Sequence, residues 1–485
     1  MKRVLDGIEP VKVFFYFEEI CNIPHVSHHT SEMSDYIENF AKRKGLKYIR
    51  DEIGNVIVFK NASKGYENHG AVIMQGHIDM VGAKRPEISH DFLTEPIELD
   101  EDAISQGYIS AVGTSLGGDD GIAVAYMLAI LDDDTLNHPA LEAVFTVDEE
   151  VGLLGATALD CSPLKGKILL NMDSEDEGIF ITGSAGGMGS ELSLSVQYND
   201  VEGLLVNLSV CNLTGGHSGV EIGTGKPSAN VCIGRVLYRI GKEVSYRLIN
   251  ICGGEVDNAI SAKCIASIVI DAGDFDKVKR ICKDVENELR NEYKGLEDNA
   301  TVTCEKGMEG IHEAIIKEDG DKIVFILRNA PYGVLARNTD NADLVETSLN
   351  PGVLRIENKV FRLVYSVRSS IESKKRDVAE RLSHLIGFVG GEYKESGSYP
   401  AWTYNPDSEI RKVAGDAYKE LFGKEAAFET IHAGLECGIF YDKIPGLDIV
   451  SYGPDMEDIH TFDEKLKIDS VKRVYDLTIR ILEKL

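Results

Sequence analysis

The sequence predicts an α/β fold in which a mostly parallel sheet is flanked by helices and an α+β domain is inserted. Four runs rich in apolar and β-branched residues predict the strands of that sheet: AVIMQ (71–75), EAVFTV (142–147), KILLNM (167–172) and LDIVSYG (447–453). Two helical segments lie beside the second run, GIAVAYMLAILDD (121–133) before it and VGLLGATALD (151–160) after it. Nearly continuous apolar strands that alternate with helices are typical of a parallel sheet covered on both faces.

The chain before the first of these strands predicts two helices and a hairpin. Residues 11–45 contain two helical segments, and Gly45 is positioned to end the second one. YIRDEIGNVIVFK (48–60) reads as two short strands with a turn near Gly54 and Asn55.

The pattern of the sequence changes between about residues 186 and 395. SELSLSVQY and LLVNLSVCNL alternate apolar and polar residues, which indicates half-exposed strands. Helical segments such as SANVCIGRVLYRIGK separate them from further strand-like runs. We therefore predict a first domain made of residues 1–185 and 396–485, interrupted by an inserted α+β domain at 186–395.

Composition excludes several classes of protein. A chain of 485 residues is too long for one ordinary core. Its formal net charge of −29 would repel a nucleic acid. It has no apolar run of about 18 residues, so no membrane span is predicted, and its N-terminus lacks the pattern of a signal peptide, which favours the cytoplasm. None of the nine cysteines forms a CxxC pair, which argues against a thiolate metal site.

Histidine and carboxylate residues follow all four predicted parallel strands. In open α/β sheets, ligands bind outside the carboxyl ends of the strands. A single carboxylate at such a position is more typical of a helix cap or a solvated turn. On the residues alone, a metal site and a set of caps and turns both remain open. The residues concerned are His77 and Asp79, Asp148 to Glu150, Asp173, Asp458 and His460, joined by Asp119 and Asp120 at a predicted helix start.

The spacing of His77 and Asp79 favours the metal site. In an extended chain, residues i and i+2 point to the same side. A histidine that binds a metal usually donates its other N–H to a carboxylate, which fixes the tautomer of the ring. Asp79 is therefore predicted to orient His77.

The motifs, taken in order, resemble those of the M20 metallopeptidases: GHIDMV, SLGGDDGIAVA, TVDEEVGLLGA, NMDSED and GPDMEDIHTFDE. SHDFLTEPIEL, LTGGHSGVEI, SVRSSIES and IHAGLECGIF are similar to the aminoacyl-histidine dipeptidases within that family. The resemblance extends from about residue 5 to residue 485. It implies a zinc-peptidase-like catalytic domain, an inserted lid and dimerisation domain, and a homodimer.

The resemblance also implies a dinuclear metal site and its ligands. Asp119 would bridge two divalent ions; Glu150 and His460 would complete one site, and His77 and Asp173 the other. Glu149 would be the general base that activates a water between the ions. Zinc is the expected ion, and cobalt or manganese could replace it. The implied metal ligands are therefore His77, Asp119, Glu150, Asp173 and His460.

Residues of the inserted domain are implied in substrate binding. By the resemblance, His217 would stabilise the oxyanion, and related enzymes often supply this histidine from the other subunit. Arg368 either holds the substrate carboxylate or is a surface charge at a strand end. Asn230 and Asn258, together with Glu436 of the first domain, lie in stretches similar to the family and are further candidates.

The predicted function is the hydrolysis of dipeptides, with Xaa-His dipeptides as the expected substrates. A tripeptidase or an N-acyl amino acid amidohydrolase of the same architecture is an alternative. A non-catalytic metal-binding or peptide-binding homologue is a second, which the presence of Glu149 and Asp119 disfavours. The chain departs from the branch at Asp120, where asparagine is common, and in EDIHTFDE, which lacks a proline. Neither departure falls on a predicted metal ligand.

Overall fold

The computed structural model describes residues 3–339 and 342–485. The helices in this part of the chain are α1 Val11–Cys21, α2 Ser31–Lys44, α3 Glu101–Ser105, α4 Gly118–Leu131, α5 Leu154–Ala158, α6 Ser218–Glu221, α7 Ala229–Gly241, α8 Phe275–Glu292, α9 Lys317–Asn329, α10 Glu372–Phe388, α11 Glu409–Phe422, α12 Glu436–Lys443 and α13 Ile468–Lys484. The strands are β1 Lys47–Arg50, β2 Val56–Lys60, β3 Val72–His77, β4 Tyr108–Ser110, β5 Leu141–Thr146, β6 Ile168–Asn171, β7 Ile179–Ser184, β8 Gly186–Ser195, β9 Tyr198–Cys211, β10 Gly216–His217, β11 Tyr246–Gly253, β12 Ala259–Ile260, β13 Cys264–Ile270, β14 Thr301–Ile315, β15 Gly333–Arg337, β16 Val345–Glu357, β17 Val360–Ser369, β18 Glu392–Tyr399, β19 Ala427–Ile431, β20 Asp448–Ser451, β21 Met456–Glu457 and β22 Lys465–Lys467.

The chain divides into two compact units. The first contains the described part of Met1–Ser184 together with Trp402–Thr430 and Leu435–Leu485. The second contains the described part of Ala185–Ala401 together with Ile431–Gly434. Each unit has its own sheet and its own cluster of buried apolar side chains.

The first unit is built on an eight-stranded sheet with the order β1-β2-β5-β3-β6-β20-β7-β19. Its four central strands, β5, β3, β6 and β20, are the four predicted from the sequence, and they pair in parallel. The pairs β1–β2, β2–β5 and β20–β7 are antiparallel, so parallel pairing is confined to the centre. The predicted fold class is confirmed, as is the hairpin of β1 and β2.

Helix α4 occupies the interior of the first unit. All of its residues are buried, and it contacts both α1 and β3. Its sequence GIAVAYMLAIL is apolar on every side, which is typical of a helix enclosed by its own protein. In the part of the chain that the structure describes, no helix is long and apolar enough to cross a membrane.

The second unit contains a nine-stranded antiparallel sheet. The path runs β14-β9-β13-β11-β16-β17-β8-β18, and β15 pairs with β16. The alternation predicted in SELSLSVQY is observed in β8, where Leu192 and Leu194 are buried and Glu191 and Ser193 are more exposed. Helices α7, α8 and α10 contact the strands of this sheet.

Candidate active site

The first unit brings six predicted residues together near the carboxyl ends of its parallel strands. Parallel strands end at the same edge of a sheet, so side chains that follow different strands meet there. The six are His77 at the end of β3, Asp119 at the start of α4, Glu149 and Glu150 after β5, Asp173 after β6, and His460 after β21.

Asp119 lies between the two histidines. Its Oδ1 is 3.1 Å from His77 Nε2, and its Oδ2 is 3.1 Å from His460 Nε2. Glu150 Oε1 lies 2.9 Å from the same nitrogen of His460. Asp173 Oδ1 lies 3.9 Å from His77 Nε2. One carboxylate is therefore shared between two clusters of nitrogen and oxygen donors.

The donor atoms of these clusters suit a divalent cation. Their chemistry, imidazole nitrogen and carboxylate oxygen without thiolate, fits zinc and other divalent ions. Glu150 Oε1 is buried, and its contact with His460 lacks the alignment of a hydrogen bond. A cation at this point would satisfy it. Within the described residues, three groups have ligand atoms within 4.8 Å of one another: His77, Asp120 and Asp173; His77, Glu149 and Glu150; and Asp119, Glu150 and His460.

The titration of Asp119 and His460 reflects their mutual contact. The hydrogen bond to Asp119 and the close contact with the Glu150 carboxylate raise the pKa of His460 to about 11. Burial alone would raise the pKa of Asp119, but hydrogen bonds from His460 and His77 hold it below its ordinary value. The carboxylates thus attract positive charge strongly. A divalent cation needs neutral imidazole ligands, so it would displace the protons from these rings when it binds.

Glu149 has a different electrostatic environment. Burial holds the pKa of Glu149 well above the ordinary value for a glutamate. The charge of His77 lowers this pKa, and the charges of Asp173 and Glu150 raise it further. A carboxylate with raised proton affinity is suited to take a proton from a reacting water.

Asp79 holds the turn that carries Glu149 and Glu150. Its carboxylate accepts hydrogen bonds from the backbone N–H of Glu149 at 3.0 Å and of Glu150 at 3.3 Å. Ser27 Oγ donates a third, at 2.8 Å. His77 Nδ1 is 3.0 Å from the backbone oxygen of Asp79 and 3.5 Å from its Oδ1. One side chain therefore contacts both the proposed base segment and His77.

The departure at Asp120 lies inside the cluster. Its side chain is fully buried, and Oδ2 accepts the backbone N–H of His77 at 3.1 Å. Oδ1 has no hydrogen-bond partner among the described residues. Burial and the charge of Asp173 hold the pKa of Asp120 well above its ordinary value. Gly76 is required here, because a Cβ at that position would lie 2.6 Å from Asp120 Oδ2.

Comparison with known proteins identifies the family of the chain. Residues 73–484 match the family described as Peptidase family M20/M25/M40. The chain belongs to this peptidase family. It is therefore a peptide hydrolase by descent, with the catalytic fold that the motifs imply.

Similar proteins span the whole chain. A curated relative from Escherichia coli (strain K12), the cytosol non-specific dipeptidase, is 35% identical over 484 residues, which is 99% of each chain. The crystal structure of an aminoacylhistidine dipeptidase from Vibrio alginolyticus has a TM-score of 0.89 and 34% identity, and the match covers 100% of this chain and 98% of that one. A tripeptidase from Staphylococcus aureus has a TM-score of 0.55 at 16% identity, with 98% of each chain covered, and shares the fold.

Four predicted residues of this M20 peptidase belong to the second unit. His217 is exposed in β10, where it pairs with Ala259 of β12. Asn258 is exposed, and its backbone oxygen accepts a hydrogen bond from the N–H of Ser218. Asn230 is buried, and its Nδ2 donates to the backbone oxygen of Pro351 at 2.8 Å.

Arg368, the fourth of them, is buried, with only 8% of its surface exposed. Its interpretation as a surface charge is therefore wrong. Nη1 donates to Tyr399 Oη at 3.0 Å, and no carboxylate pairs with the guanidinium among the described residues. Burial of His432 and, second to it, the charge of Arg368 lower the pKa of the His432 ring to about 4. Ser348 Oγ lies 2.7 Å from His432 Nε2.

Glu436 lies beneath the strands of the first unit. Its Oε2 accepts hydrogen bonds of 2.6 Å from Gln75 Nε2 of β3 and from Thr146 Oγ1 of β5. The side chain is fully buried, and burial raises its pKa to about 7. These contacts favour a supporting role for Glu436 under β3 and β5 over direct contact with a substrate.

Sequence reasoning missed two residues that contact the cluster. Ser27 lies in PHVSHHT, a stretch whose pattern gives no sign of its bond to Asp79. Glu464 lies four residues after His460 and contacts the segment that carries Asp119. Its only signal in the sequence is a carboxylate close to a predicted ligand, and such carboxylates are common in exposed loops.

Proposed function

We propose that this chain is a metal-dependent dipeptidase that hydrolyses short peptides, with Xaa-His dipeptides as its preferred substrates. The observation that carries the proposal is the position of Asp119, whose two oxygens face two histidines from distant parts of the chain. Relatives named as dipeptidases that match the chain over its full length support the substrate class.

The proposed metal site holds two divalent ions, with zinc as the expected ion. The distances around Asp119 support its role as the bridge. Glu150 and His460 would complete the ligands of one ion, and His77 and Asp173 those of the other. When bound, the two ions would polarise the scissile carbonyl and lower the pKa of a water molecule toward neutrality.

Glu149 is the proposed general base and acid. Its carboxylate takes a proton from the attacking water as the new carbon–oxygen bond forms at the peptide carbonyl. The same carboxyl then gives that proton to the leaving nitrogen as the carbon–nitrogen bond breaks. Asp79 supports this role because it binds the backbone N–H of Glu149 and so orients the turn.

Arg368 is the proposed binding group for the substrate carboxylate. A buried guanidinium without an anionic partner is costly, and a ligand carboxylate would offset that cost. The nearby imidazole of His432 has a lowered pKa and is therefore neutral at pH 7, so it adds no second positive charge. Asn230 and Asn258 are proposed to support the substrate-binding segments of the same unit.

A peptide panel tests the function. The chelator-stripped protein would be refilled with zinc, cobalt or manganese and assayed on Xaa-His, β-Ala-His, other dipeptides, a tripeptide and N-acetyl amino acids. We expect metal-dependent cleavage that is strongest on Xaa-His, and a large rise in KM when the C-terminal carboxylate is replaced by an amide. Equal rates on all dipeptides would instead indicate a non-specific dipeptidase, as the Escherichia coli relative is named. Cleavage confined to tripeptides or acyl amino acids would overturn the substrate proposal.

His217 is proposed to stabilise the oxyanion that forms on the substrate carbonyl. We expect His217→Ala to lower kcat by about 10²–10³-fold, the usual cost of removing one such donor, while the zinc content stays unchanged. Metal analysis beside steady-state kinetics would check this. A parallel loss of zinc and of kcat would make His217 a ligand or a folding residue instead.

The remaining proposals concern assembly and location. We propose that the second unit is the lid and dimerisation domain, that the protein is a homodimer, and that it acts in the cytoplasm. The name of the Escherichia coli relative supports the location. Mixing His217→Ala with a variant inactive at Glu149 tests the dimer, because activity regained on mixing requires that His217 acts on the partner's site.

A further inference from the structure

The loop after β21 contains a buried carboxylate that contacts the backbone of another segment. Glu464 is 3% exposed. Its Oε2 accepts the backbone N–H of Leu116 at 2.7 Å and of Gly117 at 3.1 Å. Its Oε1 accepts the N–H of Gly118 at 2.8 Å and of Asp119 at 3.3 Å. Four consecutive N–H groups therefore converge on one side chain.

Three of these N–H groups, from Gly117 to Asp119, belong to the segment at the start of α4, and Leu116 directly precedes it. Hydrogen bonds from several backbone N–H groups stabilise a buried carboxylate directly. No lysine or arginine pairs with Glu464 among the described residues, so backbone donors supply its stabilisation. Gly118 permits this approach, because a Cβ at that position would lie 3.1 Å from Glu464 Oε1.

The segment that Glu464 binds is not helical. Asp119 and Asp120 have non-helical backbone angles within the first turn of α4, and Gly117 has φ 71°. The ordinary hydrogen bonds of a helix therefore do not determine where the Asp119 carboxylate points. The bonds to Glu464 end at the N–H of Asp119 itself.

Glu464 also belongs to the loop that carries His460. His460 lies four residues earlier and has φ 62°, a left-handed conformation that few residues other than glycine adopt. One carboxylate thus joins two segments, one bearing Asp119 and the other bearing His460. These two residues and Glu150 form one of the three groups that could hold an ion.

We infer that Glu464 is a positioning residue for the ion held by Asp119, Glu150 and His460. This inference rests on the proposed function. Among the described residues, no hydrogen bond joins Glu464 to the side chain of a proposed ligand; Glu464 acts by fixing the backbone of Asp119 and the loop of His460. Its loss should therefore weaken the ion held by Asp119, Glu150 and His460 more than the other ion, because the other ion shares only Asp119 with the two segments that Glu464 joins.

Glu464→Gln is the test variant, and Glu142→Gln is its matched control. Glutamine has nearly the same size as glutamate. Its side-chain NH2 group cannot accept the backbone N–H groups that one of the two Glu464 oxygens accepts. Glu142 lies in β5 at 4% exposure and accepts the backbone N–H of Lys165 at 2.9 Å and of Gly166 at 3.0 Å. Glu142 is therefore also a buried glutamate that accepts backbone N–H groups. It lies near the start of β5, whereas the site follows the end of that strand.

The measurements are zinc titration calorimetry, the absorption spectrum of the cobalt-loaded protein, and thermal unfolding. We expect both variants to lower the unfolding midpoint, whereas only Glu464→Gln weakens one of two zinc affinities by about tenfold or more and alters the cobalt spectrum. Unchanged affinities and spectrum in Glu464→Gln, with a lowered midpoint, would overturn the inference and leave Glu464 purely structural.

A second variant, Glu464→Asp, tests the inference if Glu464→Gln does not fold. Glu464→Asp keeps the charge but shortens the reach, so fewer of the four N–H groups can be bound. We expect weaker binding at the same single zinc site; unchanged affinity would overturn the inference. Failure of the proposed function is distinct, because the unaltered protein would then bind no zinc or hydrolyse no peptide.

Discussion

Replacing Glu149 by glutamine is expected to lower turnover by about 10²–10⁴-fold, the usual contribution of a general base, while two zinc ions stay bound. The amide has the size of the carboxylate but cannot take a proton from water. The backbone N–H of residue 149 would still bind Asp79, so the turn should keep its conformation. Steady-state kinetics on a cleaved dipeptide, together with metal analysis of the same sample, measures both quantities.

The metal analysis decides between two roles for Glu149. Its carboxylate also belongs to a group that could hold an ion, with His77 and Glu150. Loss of one zinc in Glu149→Gln would make it a ligand, and near-normal turnover would remove it as the base.

Asp148→Asn is a matched control for this substitution. Asp148 is the adjacent acid, and its Oδ1 accepts the backbone N–H of His28. Its φ of 53° is a left-handed conformation that asparagine tolerates well. We expect turnover within severalfold of the unaltered protein.

Replacing Asp119 by alanine is expected to reduce bound zinc from two ions to one or none and to abolish turnover. Each oxygen of this carboxylate faces a different histidine, so its removal takes a donor from both clusters. It also leaves Glu150 and Asp173 without the ion that would balance their charge. Metal analysis after dialysis measures the stoichiometry, and circular dichroism checks that the variant folds. Two tightly bound ions in a folded Asp119→Ala protein would eliminate it as the bridge.

The neighbouring acid provides the control. Asp120→Asn replaces the carboxyl group beside the bridge by an amide of the same size but keeps an oxygen that can accept the N–H of His77. We expect it to retain two ions. Loss of an ion there would instead make Asp120 a ligand, as its grouping with His77 and Asp173 allows.

The fold was largely predictable because the central strands are marked by local patterns. Short apolar runs rich in β-branched residues and next to predicted helices indicate buried strands, and β3, β5, β6 and β20 all coincide with such runs. The extent of parallel pairing was less predictable. The direction in which a strand such as β7 pairs depends on which strand becomes its neighbour in the sheet. The sequence of a single strand does not indicate that neighbour.

The candidate site, like the fold, was predictable only in part. The sequence by itself determined which residues stand at the strand ends, since His77 and Asp173 each follow a recognisable strand, and the order of the motifs determined the family. Only the tertiary structure decided that Asp119 lies between two histidines, that Arg368 is buried, and that Glu464 reaches the start of α4. The physical reason is distance along the chain. Periodicity reports on neighbours within a few residues, whereas these features depend on segments that are brought together only when each unit packs its own core.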